Sequence, residues 1–269
     1  MNPGIEAKLR EEPSKRMQYA MLIAIIVGAF VWSLSAVSFN EMDNGGWQIA
    51  VKIIQGILTP DMDLLINFTD QGVLYLLFET ICIAFLGTIF GAILSIPVAF
   101  LMAPSVVPKP VYLLTRFFVI IIRTVPAIVY GLMFVRVSGP GPFAGVLTMS
   151  LTSIGMVSKL YVDVIEDIDT GVLEAMDSMG CTTFEKIRFG IIPQLSANFA
   201  SITIYRFDMN LRDTTVLGLV GAGGIGSPLI FAMNSYRWHQ VGSILIGLIV
   251  LILLVEVLSN KLRSKLVNG

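Results

Sequence analysis

From Met17 to Phe39 the chain is nearly all apolar, and a run of that length can cross about 30 Å of hydrocarbon as a helix. Lipid offers the backbone no hydrogen-bond partner, so such a segment has to satisfy its N–H and C=O groups internally. Comparable runs recur at about Thr80 to Leu101, Val111 to Val135, Phe143 to Tyr161, Pro193 to Gly218 and Val241 to Leu258. Hydrophobic residues make up 55% of the chain and charged residues 14%, against about 25% charged in soluble domains. The expected fold is therefore all-α, a polytopic membrane bundle of about six transmembrane helices. A signal peptide has a shorter apolar core, so the first run is expected to stay as an uncleaved anchor. No dense basic face marks the chain for nucleic acid. Cys82 and Cys181 fall in a span and a loop, with neither a disulfide nor a metal spacing expected.

Two regions follow from the run lengths. Residues 1–71 are expected to hold a charged tail, the first span and an acidic segment with Glu41, Asp43, Asp61, Asp63 and Asp70. Within it Trp47 to Leu58 has helical apolar spacing but is too short to span, and fits either the membrane interface or packing against the core. Residues 72–265 form the main bundle. Glu79 predicts an interfacial turn before the second span. Gly87 and Gly91 stand at the spacing that lets helices approach closely, and packing within the subunit is preferred to a dimer contact. Pro97 is expected to kink the helix near its end. The third span carries Arg123-Thr124-Val125-Pro126 near mid-depth.

Loop charges predict the orientation. One side collects Lys8, Arg10, Lys15, Arg16, Lys109, Arg116, Lys159, Lys186, Arg188, Lys261, Arg263 and Lys265; the other has Lys52, Arg136 and Arg237. The positive-inside rule then places both termini in the cytoplasm.

The stretch Leu173 to Pro193 mixes charge, small residues and helix punctuation at short intervals. Thr170 is expected to cap a helix, with Glu174 in its first turn, where an acid suits the dipole. Gly180 can close it in the left-handed conformation. Thr182 and Glu185 form a capping box that restarts a helix at once, and Pro193 permits a third start. The result is two short helices at an angle on one side of the membrane. This pattern resembles the "EAA" loop of binding-protein-dependent ABC importer permeases: E-A-A, three residues, G, nine residues, then I-x-L-P. Here it reads Glu174-Ala175-Met176, Gly180, and Gly190-Ile191-Ile192-Pro193, with coupling loop bounds of about 165–192. Met176 and Gly190 depart from the pattern. The resemblance implies that the first short helix docks in a groove of a separate ATPase subunit, with Glu174, Ala175, Met176 and Gly180 as coupling residues. An ordinary amphipathic loop between spans is the alternative.

The fifth span carries Arg206, Asp208, Asn210, Arg212 and Asp213. Asp208 and Arg212 can pair at i, i+4, acid first. Arg206, Asn210 and Asp213 fall on a roughly opposite face. A charge at mid-membrane costs at least about 2.5 kcal/mol, so these groups are expected to face protein or water. With Arg123 they are candidates for a pathway or gate; internal pairs that fix helix register are the plainer reading. Gly221-x-Gly223-x-x-Gly226 matches the dinucleotide fingerprint in letters, but it lies between spans rather than after a strand, and tight packing is the better expectation. Ser227 and Pro228 can start a helix whose N-terminus favours an anion. His239, the single histidine, reads as an interfacial polar group rather than a ligand.

Arg123 to Gly131, Gly139 to Leu147, Ser158 to Ile168 and Tyr205 to Gly226 together look like phosphonate-transporter permease subunits. That resemblance implies a homodimer, a cytoplasmic ABC ATPase pair that binds ATP and Mg, an extracytoplasmic substrate-binding protein, and import of phosphonate, phosphite or phosphate across a bacterial plasma membrane. This chain shows no G-x-x-x-x-G-K-[ST] to cradle nucleotide phosphates, so it is not expected to be an enzyme or to bind a cofactor or metal. An ion- or proton-coupled carrier using the fifth-span charges, and a membrane-embedded enzyme or scaffold, are the competing classes.

Overall fold

The computed structural model describes residues 16–36, 44–69 and 72–268, and every regular element among them is helical. The expected tail charges Lys8, Arg10 and Lys15, and the acids Glu41, Asp43 and Asp70, lie outside the described residues. Two compact units divide the chain, Met1–Val51 and Lys52–Gly269. The first contains α1 (Arg16–Ala36), which is apolar along its length and exposes every residue from Met17 to Ala36. The boundary falls inside α2 (Asn44–Leu58).

The second unit opens with the end of α2 and a short α3 (Met62–Ile66), whose N-cap Asp61 accepts from the Leu64 N–H at 3.3 Å. Gly56 in α2 packs where a Cβ would come 2.4 Å from Trp238 Cβ, so this part of the amphipathic stretch packs against protein. The helix α4 (Val73–Met102) follows. It starts six residues before Glu79 and passes through it unbroken, so the expected interfacial turn is absent. It also runs on through Pro97.

The third expected span is not one helix. It is α5 (Lys109–Thr124) and α6 (Ala127–Ser138), bent by 86°. The cause is local: Val125 precedes a proline and adopts φ −83°, ψ 125°, the extended region to which ring sterics push such a residue. Pro126 then pre-sets the φ of a new helix start. Next come α7 (Pro142–Glu166), α8 (Thr170–Ser178) and α9 (Thr183–Glu185). A π-helical turn, Lys186–Ile191, joins α9 to α10 (Ile192–Leu217). The chain ends with α11 (Gly226–Asn234) and α12 (Trp238–Asn268).

Among the described residues α1, α4, α7 and α12 are long and apolar enough to span, and the bent α5–α6 pair makes a fifth candidate. The fifth expected span, α10, has the length at 26 residues but carries four charges in its second half.

The bundle is built on α4 and α7, which run parallel. A Cβ on Gly87 would lie 2.3 Å from Met149 Cβ, and one on Gly91 would lie 2.4 Å from Ser153 Cβ. The G-x-x-x-G pair thus serves packing inside the chain. Buried hydroxyls along this seam are satisfied within their own helices: Thr80, Thr88, Ser95 and Thr148 each donate to the carbonyl four residues back, at 2.6–2.7 Å. Ala99, Val119, Val157, Tyr161, Ile165 and Leu195 form a core at one end; Ile83, Ala144, Leu217 and Ala222 form another at the opposite end.

Those two ends carry different furniture. At the first, Arg116 joins the end of α4 to the end of α7, donating to the Met102 carbonyl at 3.1 Å and pairing with Glu166 at 3.0 Å. The hairpin α8–α9 emerges here. At the second, the Gly-rich loop folds over the starts of α4 and α7.

Candidate functional site

The hairpin is defined by its punctuation. Asp169, rather than Thr170, is the N-cap of α8: its side chain accepts from the Gly171 N–H at 2.9 Å, and Thr170 is the first helical residue. Both residue types cap well, and the chain uses the earlier one. The other end is a Schellman closure. Gly180 takes φ +75°, its N–H bonds to the Asp177 carbonyl at 2.9 Å, and the Cys181 N–H reaches the Met176 carbonyl at 3.1 Å. The capping box follows at once, with the Thr182 N–H donating to Glu185 Oε2 at 2.7 Å and the Glu185 N–H pointing back to Thr182 Oγ1 at 3.4 Å. The Thr182 hydroxyl also donates to the Glu185 carboxylate, and these bonds hold its pKa below the ordinary glutamate value. Asp177 pairs with Lys186 across the hairpin.

Met176 and Gly190, the two departures from the family pattern, meet in space. A Cβ on Gly190 would lie 2.7 Å from Met176 Sδ and 3.7 Å from Leu173 Cδ2. The long side chain on α8 fills the room that the missing side chain leaves on the π turn. Leu173 and Ile187 carry this contact on to the core formed by Val157, Tyr161, Ile165 and Leu195. The outer face of the hairpin is open. Glu174 and Ala175 are exposed, as are Met179, Phe184 and Phe189.

The charges of α10 sort onto two faces. Arg206 is buried against α7, donating from Nε to Ser153 Oγ at 3.0 Å and from Nη2 to Thr152 Oγ1 at 3.2 Å. Its guanidinium lies 3.9 Å from Asp213 Oδ2. Asn210, fully buried, donates to Thr88 Oγ1 and Ser153 Oγ, both at 2.8 Å, tying α10 to α4 and α7 together. Its Oδ1 has no partner among the described residues. On the other face Arg212 bridges Asp208 at 3.1 Å and Glu256 of α12 at 3.3 Å. The expected i, i+4 pair is present, and the expected face of Arg206, Asn210 and Asp213 is the one turned to α7. Arg123 stands apart: its stem lies over Gly155, its side chain is exposed, and among the described residues it forms no ion pair.

Reading the sequence missed the hydroxyls that receive these charges, Thr88, Thr152 and Ser153. Their only signal was that Thr88 and Ser153 lie beside the small-residue seam. It missed Glu79 as well. The Gly224 N–H donates to Glu79 Oε1 at 3.1 Å and the Ile225 N–H to Thr80 Oγ1 at 3.0 Å, so the acid that looked like an interfacial marker holds the Gly-rich loop. That loop is packed, not a phosphate cradle: a Cβ on Gly223, at φ +81°, would lie 2.8 Å from Pro142, and one on Gly226 would lie 2.0 Å from the Thr215 carbonyl. Ser227 does not cap α11. Its hydroxyl donates to the Gly218 carbonyl at 2.6 Å, and Ile225 stands at the N-cap. His239 bonds through Nδ1 to the Thr59 carbonyl at 2.7 Å and fastens α12 to the end of α2.

A helical bundle with a short, exposed, doubly capped hairpin at one end is the build of an ABC importer's membrane subunit. The chain belongs to the binding-protein-dependent transport system inner membrane component family, whose model matches residues 95–266. It is a multi-pass inner-membrane protein and a transport component. The phosphate-import permease protein PhnE of Mycolicibacterium smegmatis is 32% identical over 250 residues, which are 91% of this chain and 46% of that protein. This chain thus spans about half of that relative. The phosphite transport system permease protein PtxC of Stutzerimonas stutzeri is 35% identical over 189 residues, 70% of this chain and 69% of the relative. Among solved structures, the inward-facing MetNI methionine ABC transporter matches with a TM-score of 0.63 at 20% identity, over 72% of this chain and 95% of that one, which shows a shared fold.

Proposed function

We propose that this chain forms the membrane pathway of an ATP-driven importer for a phosphorus oxyanion, namely phosphonate, phosphite or phosphate. The observation that carries the reading is the hairpin: its outer face is exposed, while its inner face is fixed through Met176 and Gly190 to the start of α10. A push on α8 therefore reaches the helix that holds Arg206 and Asn210. The motor is a separate cytoplasmic ABC ATPase pair, which binds ATP and Mg; this chain binds no cofactor. An extracytoplasmic binding protein delivers the cargo, and a second copy of the chain completes the pathway. The relatives' names, which specify phosphate and phosphite, support the cargo class.

The basic residues Lys109, Arg116, Lys186, Arg188 and Lys261 lie toward the hairpin end and Lys52, Arg136 and Arg237 toward the other, which supports a cytoplasmic hairpin and C-terminus, and the basic residues ahead of the first apolar run in the sequence support the same side for the N-terminus. Within the pathway, Arg206, Asp208 and Asn210 act from inside the packing as the gate's hinge. Arg212 and Asp213, with side chains 48% and 43% exposed, are the α10 groups that meet water and cargo, together with the exposed Arg123. An ion-coupled carrier is less favoured, because Arg206, Asp208, Arg212 and Asp213 already have partners within the protein.

Reconstitution of the chain with its ATPase and binding protein in proteoliposomes tests the proposal. Uptake of labelled phosphate, phosphite or a phosphonate should require internal ATP and the binding protein. Uptake driven by a proton gradient alone, without the ATPase, would overturn it.

A further inference from the structure

At the bundle end remote from the hairpin, two cavities share a wall. One, of about 470 Å³, is bordered by the charged and polar side chains of Lys52, Gln55, Asp61, Arg237, His239 and Gln240. The other, of about 610 Å³, is mostly apolar and lined by Val73, Leu76, Pro228, Phe231 and Ile244. Arg237 and Gln240 border both. The first of these cavities carries a net positive charge: Lys52 and Arg237 stand against the single lining carboxylate Asp61, and among the described residues neither cation is in an ion pair. The one carboxylate there, Asp61, is engaged in capping α3. Arg237 lies over the Phe231 ring at 5.8 Å, at the border of the apolar cavity.

The aromatic residues give the depth. Tyr236 is the one described non-glycine residue with positive φ, at 56°, in the turn that closes α11. Such a turn ordinarily takes glycine or asparagine. Here a tyrosine holds it, 69% exposed and edge-on to Trp238 at 5.9 Å. Tyrosine and tryptophan paired at the start of an apolar helix mark the headgroup level of a bilayer. The apolar cavity extends from that level past Val73, Leu76 and Ile244, which lie inward along α4 and α12.

We propose that the two cavities are one binding site for an anionic phospholipid. Lys52 and Arg237 take the phosphate and the excess negative charge of the headgroup, Gln55 and Gln240 its hydroxyls, and one acyl chain enters the apolar cavity. A free phosphate would leave that cavity without an occupant, which is why the lipid is the better fit. The site is separate from the α10 charges, so it holds or fails whatever cargo the bundle carries.

The test uses the purified full-length protein in detergent, titrated with phosphatidylglycerol, phosphatidylcholine, glycerol 3-phosphate or inorganic phosphate, and read by native mass spectrometry and thermal unfolding. Phosphatidylglycerol should be retained about tenfold better than phosphatidylcholine, and the two chain-free anions should not displace it. Lys52→Gln combined with Arg237→Gln should bring phosphatidylglycerol down to the phosphatidylcholine level. Both side chains are exposed, so the variant keeps its fold, which its elution profile and circular dichroism verify. Equal retention of both lipids by the unmodified protein, an unchanged preference in the variant, or displacement of the lipid by inorganic phosphate would each overturn the proposal.

Discussion

Met176 and Gly190 each look like a loss when set against the family pattern, one too large and one too small. In space they are a single exchange of volume across the hairpin. Gly190→Ile alone should overfill this contact and destabilise the protein by about 1–3 kcal/mol. Adding Met176→Ala should recover most of that loss. A double-mutant cycle on thermal unfolding and uptake measures the coupling, and strict additivity of the two changes would contradict the contact. The capping box gives a second prediction at this scale. Glu185 has a depressed folded pKa, so its contribution is present at neutral pH and fades as pH falls through that lowered value. Hydrogen exchange at the Thr182 amide should therefore stay slow at pH 7 and quicken only at a pH below the ordinary glutamate range, after correction for intrinsic rates. Glu185→Gln should quicken it at pH 7 and remove this pH dependence.

The elements differ in how far their sequence revealed them. The hairpin was legible because its signals are local: a left-handed glycine, a capping box and a proline act within a few residues. The sorting of α10 was legible for the same reason, since helical spacing alone puts Arg206, Asn210 and Asp213 on one face. The 86° break at Pro126 was not, because an apolar run gives length but no direction, and Val125-Pro126 can kink a span as readily as divide it. The role of Glu79 was hidden because its partner, Gly224, is 145 residues away. The α4–α7 seam yields the sharpest element-scale prediction. Gly91→Val would force a Cβ to within 2.4 Å of Ser153 Cβ in a seam with no slack. It should lower the yield of folded protein in the membrane severalfold, whereas Gly28→Val on α1, where nothing lies within 4 Å, should leave it unchanged. Immunoblotting of membrane fractions compares the two.

At the scale of the molecule, α10 links the hairpin to the remote end through a continuous polar and apolar path. It starts at the π turn under Met176, passes Tyr161 stacked on Phe199 at 3.9 Å, and reaches the node where Asn210 joins α4 to α7. A stiff path of this kind is what an inert bundle needs if a separate motor is to move it. Breaking the node should separate motion from stability: Asn210→Leu removes one orphaned acceptor but leaves Ser153 and Thr88 with fewer partners. We expect uptake to fall by more than the accompanying drop in thermal stability accounts for, as read by transport per folded molecule.

The most direct test of the account is Gly180→Val in proteoliposomes containing the ATPase and the binding protein. At φ +75° a β-branched residue is strained by roughly 1–2 kcal/mol, yet no neighbouring atom lies within 4 Å, so insertion and assembly should survive while the angle of α8 changes. ATP hydrolysis should continue while uptake falls at least about tenfold. Uptake and hydrolysis both at the level of the unmodified protein would contradict it.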